Sequence, residues 1–309
     1  MTRAFLALLL AAAGWAQDRP TFRAGVSLVH VDAEVTDADG RIVGGLAKDD
    51  FRILDEGREQ PIVQFASGEE PLDVILLFDV SLSMKAVVEA VSAAAREGFR
   101  ELRPGDRVAV MVFNTRSRVV APFTEDMEEV ERTIREQILP GRFGGGTFIQ
   151  AAVDDAARLF LGQKRTERRR AVLIITDNIG TRTRREASVV RDFWEADALL
   201  SGLVVRNPKF EALRAVSVVL GPQNALLQAG MKGIADKTGG DFIHSGDPGS
   251  DFPDAMHRIR TRYSLYYPLP EKAKPGATRT VHVELSRDTA RRYPKARVRA
   301  RTGYLVRAP

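Results

Sequence analysis

Three unbroken apolar runs constrain this chain more than any other feature. They are Val74-Ile75-Leu76-Leu77-Phe78, Val108-Ala109-Val110-Met111-Val112-Phe113 and Ala171-Val172-Leu173-Ile174-Ile175. A strand with one face in water alternates apolar and polar residues; these do not, so both of their faces must be covered. Leu203-Val204-Val205 and Asp241-Phe242-Ile243 continue the series, and helix-compatible stretches at 84–102, 127–138, 149–161 and 226–237 lie between the runs. Buried strands alternating with amphipathic helices predict an α/β fold with a doubly wound, mainly parallel sheet over residues 71–262. Segment 206–222 fits the alternation poorly and reads as an insertion.

The flanks have a different texture. Residues 22–70 hold short alternating runs such as Val29, Val31, Ala33 and Val35, then the turn Asp37-Ala38-Asp39-Gly40, then Phe51-Arg52-Ile53-Leu54, then Ile62, Val63 and Phe65. Residues 263–309 alternate again at Tyr263, Leu265 and Tyr267 and at 280–285, and close with Val298 and 302–306 as a final pair of strands. Each set alone leaves an apolar face and open edges. The expectation is therefore one small antiparallel β-sandwich made from both flanks, with the α/β domain inserted between them.

Residues 1–16 are an address rather than a part of the fold. Arg3 precedes an unbroken apolar run over 4–13, and Gly14 and Ala16 supply the small residues of a cut after Ala16. That is the layout of a secretory signal peptide, and the run is shorter than the ~20 residues a spanning helix needs. No later apolar stretch is long enough to span, so the mature chain is expected to be exported, periplasmic or secreted, without a transmembrane segment. The sequence holds no cysteine, which excludes disulfides, thiolate metal sites and thiol nucleophiles. A net charge of +5, from 46 basic and 41 acidic residues, is too small to indicate a nucleic-acid partner.

Chemistry concentrates where the apolar runs end. In an open parallel sheet, ligands gather at the carboxyl ends of the strands. The first run ends in Asp79-Val80-Ser81-Leu82-Ser83, which puts one carboxylate and two hydroxyls on the turn into the first helix. Thr147 follows Gly144-Gly145-Gly146 at the start of a helix, and Asp177 follows the third run. An oxygen-only set of this kind suits Mg²⁺, with Mn²⁺ or Ca²⁺ as alternatives, and leaves room for an incoming carboxylate.

Asp79, Ser81, Ser83, Thr147 and Asp177, in this order and on these elements, resemble the metal-ion-dependent adhesion site of the von Willebrand factor type A domain. Phe99-Arg100, the lead Arg103-Pro104-Gly105-Asp106 into the second run, and Thr238-Gly239-Gly240 are similar to the same family. The flanking Asp39-Gly40, Asp50-Phe51 and Gly303-Tyr304 resemble exported bacterial "VWFA-related" proteins of the acidobacterial type. The resemblance implies a non-catalytic module whose five residues hold a divalent cation, and a protein partner presenting an Asp or Glu to it. The chain departs from the family at Asn178, where a glycine is usual, and an amide there is expected to crowd the loop or alter its hydrogen bonds.

Other readings of the same residues exist. Ser81 and Ser83 could simply cap a helix. The strand-end Asp79 could be the nucleophile of a Mg²⁺-dependent phosphatase-like hydrolase, although Ser81 stands where such sites carry a second acid. A metal-free scaffold is a third reading. The four histidines are scattered and read as ordinary surface or core residues, and the arginines of 165–170 and 287–301 as solvated surface, the second group on an exposed strand.

Overall fold

A computed structural model describes residues 27–164, 167–180, 183–205 and 230–307. The leader at 1–16 and the segment read as an insertion lie outside them. The chain begins with β1 (Leu28–Thr36), β2 (Phe51–Asp55), β3 (Arg58–Gln60) and β4 (Gln64–Ser67). The α/β body follows as β5 (Leu72–Asp79), α1 (Lys85–Phe99), β6 (Arg107–Phe113), β7 (Ser117–Thr124), α2 (Met127–Thr133), α3 (Ile149–Leu161) and β8 (Arg169–Thr176). It continues with α4 (Glu186–Ala196), β9 (Ala198–Val205), α5 (Met231–Thr238), β10 (Phe242–Ser245) and α6 (Pro248–Arg260). The chain closes with β11 (Tyr263–Pro268), β12 (Thr278–Leu285), α7 (Arg287–Arg292), β13 (Arg297–Ala300) and β14 (Gly303–Leu305).

The central sheet has the order β10-β9-β8-β5-β6-β7. Its strands run parallel except β7, which pairs with β6 antiparallel and closes one edge. Every residue of β5 and of β8 is buried, which is why the sequence there shows no alternation. Val74, Leu76 and Phe78 point to one face, under α1, α2 and α6; Ile75 and Leu77 point to the other, under α3, α4 and α5. The period of two thus sorts a continuous apolar run into two separate cores.

The remaining strands form two antiparallel sheets, β13-β1-β11-β4 and β14-β12-β2-β3, each combining strands from before and after the α/β body. Val31, Val35, Phe51, Ile53, Leu265, Tyr267 and Val283 fill one core between them, a β-sandwich. The last two strands differ from the expected pair. β13 adds to β1 and β14 adds to β12, so consecutive strands part to opposite sheets. Residues 287–292 are helical, not strand, because Ser286 caps them: its side chain accepts from the Thr289 N–H.

The sandwich docks at the amino ends of the parallel strands through ions, not through surface arginines. Arg169, at the start of β8, is 1% exposed; it donates from Nε to Asp32 Oδ1 on β1 at 2.8 Å and from a terminal nitrogen to the Ile259 carbonyl at 2.9 Å. Arg262 is buried between α6 and β11 and donates to Glu34 at 2.9 Å and to the Gly239 carbonyl at 2.6 Å. Arg168 instead pairs within the α/β body, with Asp73 of β5 at 2.6 Å. Gly239 makes this docking possible: its φ is +87°, and a Cβ there would sit 2.5 Å from the Arg301 amide nitrogen.

Candidate functional site

The carboxyl ends of β5 and β8 lie at the far end of the sheet from the sandwich. Seven residue steps along β5, at about 3.3 Å each, put them roughly 23 Å from the docking face. Asp79 ends β5 and Asp177 directly follows β8. The β5–β8 register sets Phe78 beside Ile175, so the two acidic loops leave adjacent strands at the same level.

Asp79 is fully buried. Its Oδ1 accepts the Ser81 amide N–H at 2.9 Å, and its Oδ2 accepts the Thr176 hydroxyl at 2.8 Å. Ser81 precedes a short 3₁₀ turn, Leu82–Met84, and neither it nor Met84, at the start of α1, makes a side-chain capping bond. The capping reading of the serines is therefore not what the fold uses. The Ser81 and Ser83 hydroxyl oxygens lie 3.2 Å apart, and the Ser83 hydroxyl donates to Asp177 Oδ2 at 2.7 Å. Four of the five expected residues are thus joined in one chain of contacts, from buried Asp79 through nearly buried Ser81 to exposed Ser83 and half-exposed Asp177.

Thr147 comes to this edge through its backbone. It lies two residues before α3 rather than at its first position. The Gly144 amide donates to the Val80 carbonyl at 3.0 Å, and the Phe148 amide donates to the Asn114 carbonyl at 2.9 Å. On the other side, a Cβ at Gly180 would come within 2.6 Å of the Thr147 carbonyl oxygen, so only glycine lets the Asp177 loop pack against it. The three loops meet, with the Thr147 segment held between those of Asp79 and Asp177.

Asn178 has φ +58°, the left-handed region. That explains why glycine suits this position, and asparagine is the side chain that tolerates it best after glycine. The loop backbone is bonded, the Asn178 amide donating to the Thr176 hydroxyl at 3.0 Å and the Ile179 amide to Asp177 Oδ1 at 3.1 Å, while the Asn178 side-chain oxygen is buried without a hydrogen-bond partner. Thr176 is the residue the sequence reading passed over. Its signal was a hydroxyl closing an otherwise apolar run, immediately before Asp177.

The electrostatics suit a cation. Burial pushes the Asp79 carboxyl up to about 6; the Ser81 amide and the Thr176 hydroxyl oppose this, and the nearby Asp177 charge adds to it. Among the described residues no ion pair reaches Asp79, in a protein whose other buried carboxylates, such as Asp32, Glu34 and Asp55, are paired with arginine. A buried carboxylate facing a second one without a cation is costly, and a bound divalent ion removes that cost. The donors brought into contact are oxygens alone, two carboxylates and the hydroxyls of Ser81 and Ser83, with Thr147 on the adjoining loop; hard cations such as Mg²⁺ prefer such a set. Among the described residues no group of three or more His, Cys, Asp or Glu side chains is placed to hold a metal ion, so the candidate set rests on hydroxyls as well as carboxylates.

Residues 74–180 match the family described as the von Willebrand factor type A domain. A search of curated proteins finds no match. Among solved structures, a conserved hypothetical protein BatB from Bacteroides thetaiotaomicron is 20% identical, with 61% of this chain and 97% of that chain covered and a TM-score of 0.46. An aerotolerance-related membrane protein from Bacteroides fragilis is 15% identical, with 61% and 98% covered and a TM-score of 0.45. Proximal thread matrix protein 1 from the mussel byssus is 14% identical, with 64% and 50% covered and a TM-score of 0.48. The family match begins inside β5 and ends at Gly180, just beyond the loop of Asp177, so it takes in all five candidate residues. Within the α/β body, residues 74–180 are thus similar to the von Willebrand factor type A domain.

Proposed function

We propose that this protein is an exported, non-catalytic binding module whose type A domain holds a divalent cation, Mg²⁺ first, at Asp79, Ser81, Ser83, Thr147 and Asp177. The partner is a protein that presents an Asp or Glu carboxylate to that edge. The observation that carries the reading is the orientation of the two serine hydroxyls. Ser81 makes no helix-capping bond; its hydroxyl meets that of Ser83, which donates to Asp177, in front of a buried Asp79 that no ion pair reaches. A bound cation would supply an electrophilic position for the partner's carboxylate oxygen. Asp79 would set the charge from behind while fixing the Ser81 backbone. Ser83 and Asp177 would face solvent, where a partner arrives.

The same geometry argues against Asp79 as a nucleophile. Both of its oxygens accept hydrogen bonds, it has no exposed surface, and Ser81 supplies no acid for a leaving group. Type A domains serve protein interaction, which agrees with a binding role. The leader read at residues 1–16 supports export, and no described helix is long and apolar enough to cross a membrane. Immobilised protein is expected to recover a partner from an exported-protein fraction in Mg²⁺ and to lose it in chelator or with Asp79→Ala. Equal recovery under all three conditions would refute the reading.

A further inference from the structure

A cleft of about 280 Å³ opens immediately beside the candidate cation site. Val80, which lies between Asp79 and Ser81 in the chain, forms part of its wall, together with Asn114, Arg116, Arg118, Gln137 and Arg142. Its position is fixed by the contacts that assemble the site: the Val80 amide donates to the Phe113 carbonyl at 2.9 Å, and the Asn114 side-chain amide donates to the Gly144 carbonyl at 3.1 Å. The wall opposite the β6–β7 turn comes from a π-helical turn, Ile134–Ile138, that continues α2. Such turns widen a helix locally and are frequent at functional sites.

The cleft gathers three arginines that take no part in the ion pairs of the fold. The guanidinium groups of Arg107, Arg168, Arg169, Arg258, Arg262, Arg279, Arg299 and Arg301 all pair with carboxylates. Arg116, Arg118 and Arg142 are exposed, and among the described residues no ion pair reaches any of them. Three unpaired guanidiniums around one hollow repel each other and lose that repulsion when an anion enters. Arginine's planar fork matches a carboxylate with two parallel hydrogen bonds. The volume lies below the usual range of small-molecule pockets and suits a single side chain.

We infer that the Arg116, Arg118 and Arg142 cleft receives a second acidic side chain of the partner, so that the ligand is an acidic peptide segment with one carboxylate for the cation and another, a few residues away, for the arginines. This rests on the reading of the cation site given above and specifies the chemistry of its partner. A lone exposed Asp or Glu would engage half of this surface. A segment with several acidic residues engages all of it, and the arginine charges also speed its approach at low salt.

Two end-blocked peptides test the inference, one alternating three glutamates with glycine and one with a single glutamate among glycines, by fluorescence anisotropy in Mg²⁺. The three-glutamate peptide is expected to bind wild type about ten-fold more tightly, a gap of about one charge-assisted hydrogen bond. In Arg116→Ala/Arg118→Ala/Arg142→Ala that gap should close while single-glutamate binding stays unchanged. In Arg287→Ala/Lys295→Ala/Arg297→Ala, which removes equal charge from the distant sandwich, the gap should persist. All six side chains are exposed, and an unchanged thermal midpoint checks that both variants fold. A gap that survives the cleft variant, or that closes equally in the sandwich variant, overturns the cleft and leaves the cation site standing. Single-glutamate binding that ignores chelator and Asp79→Ala overturns the cation site itself. No binding of either peptide by wild type in Mg²⁺ overturns both.

Discussion

His30 is wedged at the seam between the sandwich and the α/β body, and replacing it should change how stability depends on pH. Its Nε2 lies 3.4 Å from Asp32 Oδ1 and its Nδ1 lies 3.6 Å from Asp197 Oδ2, while its ring stacks on Tyr266 with centroids 4.8 Å apart. Burial by itself would lower the imidazole's affinity for a proton. The Asp32 and Asp197 charges outweigh it and raise the pKa to about 9. Around this group, Asp32 is also held by Arg169, Asp197 by Arg301, and the Tyr266 hydroxyl donates to Glu70. A histidine pKa raised from 6.5 to about 9 corresponds to about 3 kcal/mol of folding free energy at 1.4 kcal/mol per pH unit. Because the folded-state value lies above the unfolded one, this contribution is complete below pH 6.5 and disappears as pH rises through 9. Urea unfolding of wild type and His30→Gln, measured from about pH 6 to pH 10, isolates it from the tyrosines and lysines that titrate in both. Wild type should lose about 3 kcal/mol more than the variant over that range. Parallel stability curves would refute the idea that the histidine is charged between the two carboxylates.

Two further substitutions test the site loop and the docking seam. Asn178→Gly should preserve or slightly raise stability, whereas Asn178→Val should cost about 1–2 kcal/mol and weaken cation binding, because a β-branched residue resists the left-handed backbone that orients Asp177; thermal unfolding of both variants and cation calorimetry check this, and equal behaviour would contradict it. Arg262→Ala should destabilise the fold by about 3–5 kcal/mol, since it leaves buried Glu34 facing only the longer contacts of Arg258 and Arg299, at 3.3 and 3.4 Å; urea unfolding measures it, and a loss below about 1 kcal/mol would show that the buried ion pairs do not hold the sandwich in place.

What could be read from the residues follows from where the forces act. β5, β6 and β8 were legible because burial on both faces writes an unbroken apolar run into the sequence. The strand Ser117–Thr124 was not: it lies at the sheet edge, carries Pro122 and is irregular in its register with β6, so its pattern neither alternates nor runs apolar. The helix Pro248–Arg260 is obscured by Gly249 near its start and Pro253 inside it, both poor helix formers. Asp79, Ser81, Ser83 and Asp177 could be named because hydroxyls and carboxylates at strand ends are chemically conspicuous. Thr176, the backbone of Asn178 and the arginine cleft could not, since their meaning depends on how separate loops pack. Arg169 and His30 read as ordinary residues for a similar reason: the partners that make them unusual, Asp32 and Asp197, come from distant parts of the chain.

Titration calorimetry of purified protein with Mg²⁺ and with Mn²⁺, run beside Asp79→Ala, bears most directly on the binding site. One saturable cation per chain, abolished by the substitution while the variant keeps its fold by circular dichroism, is the predicted result. A wild-type protein that takes up neither ion, or a variant that binds them as well as wild type does, would contradict it.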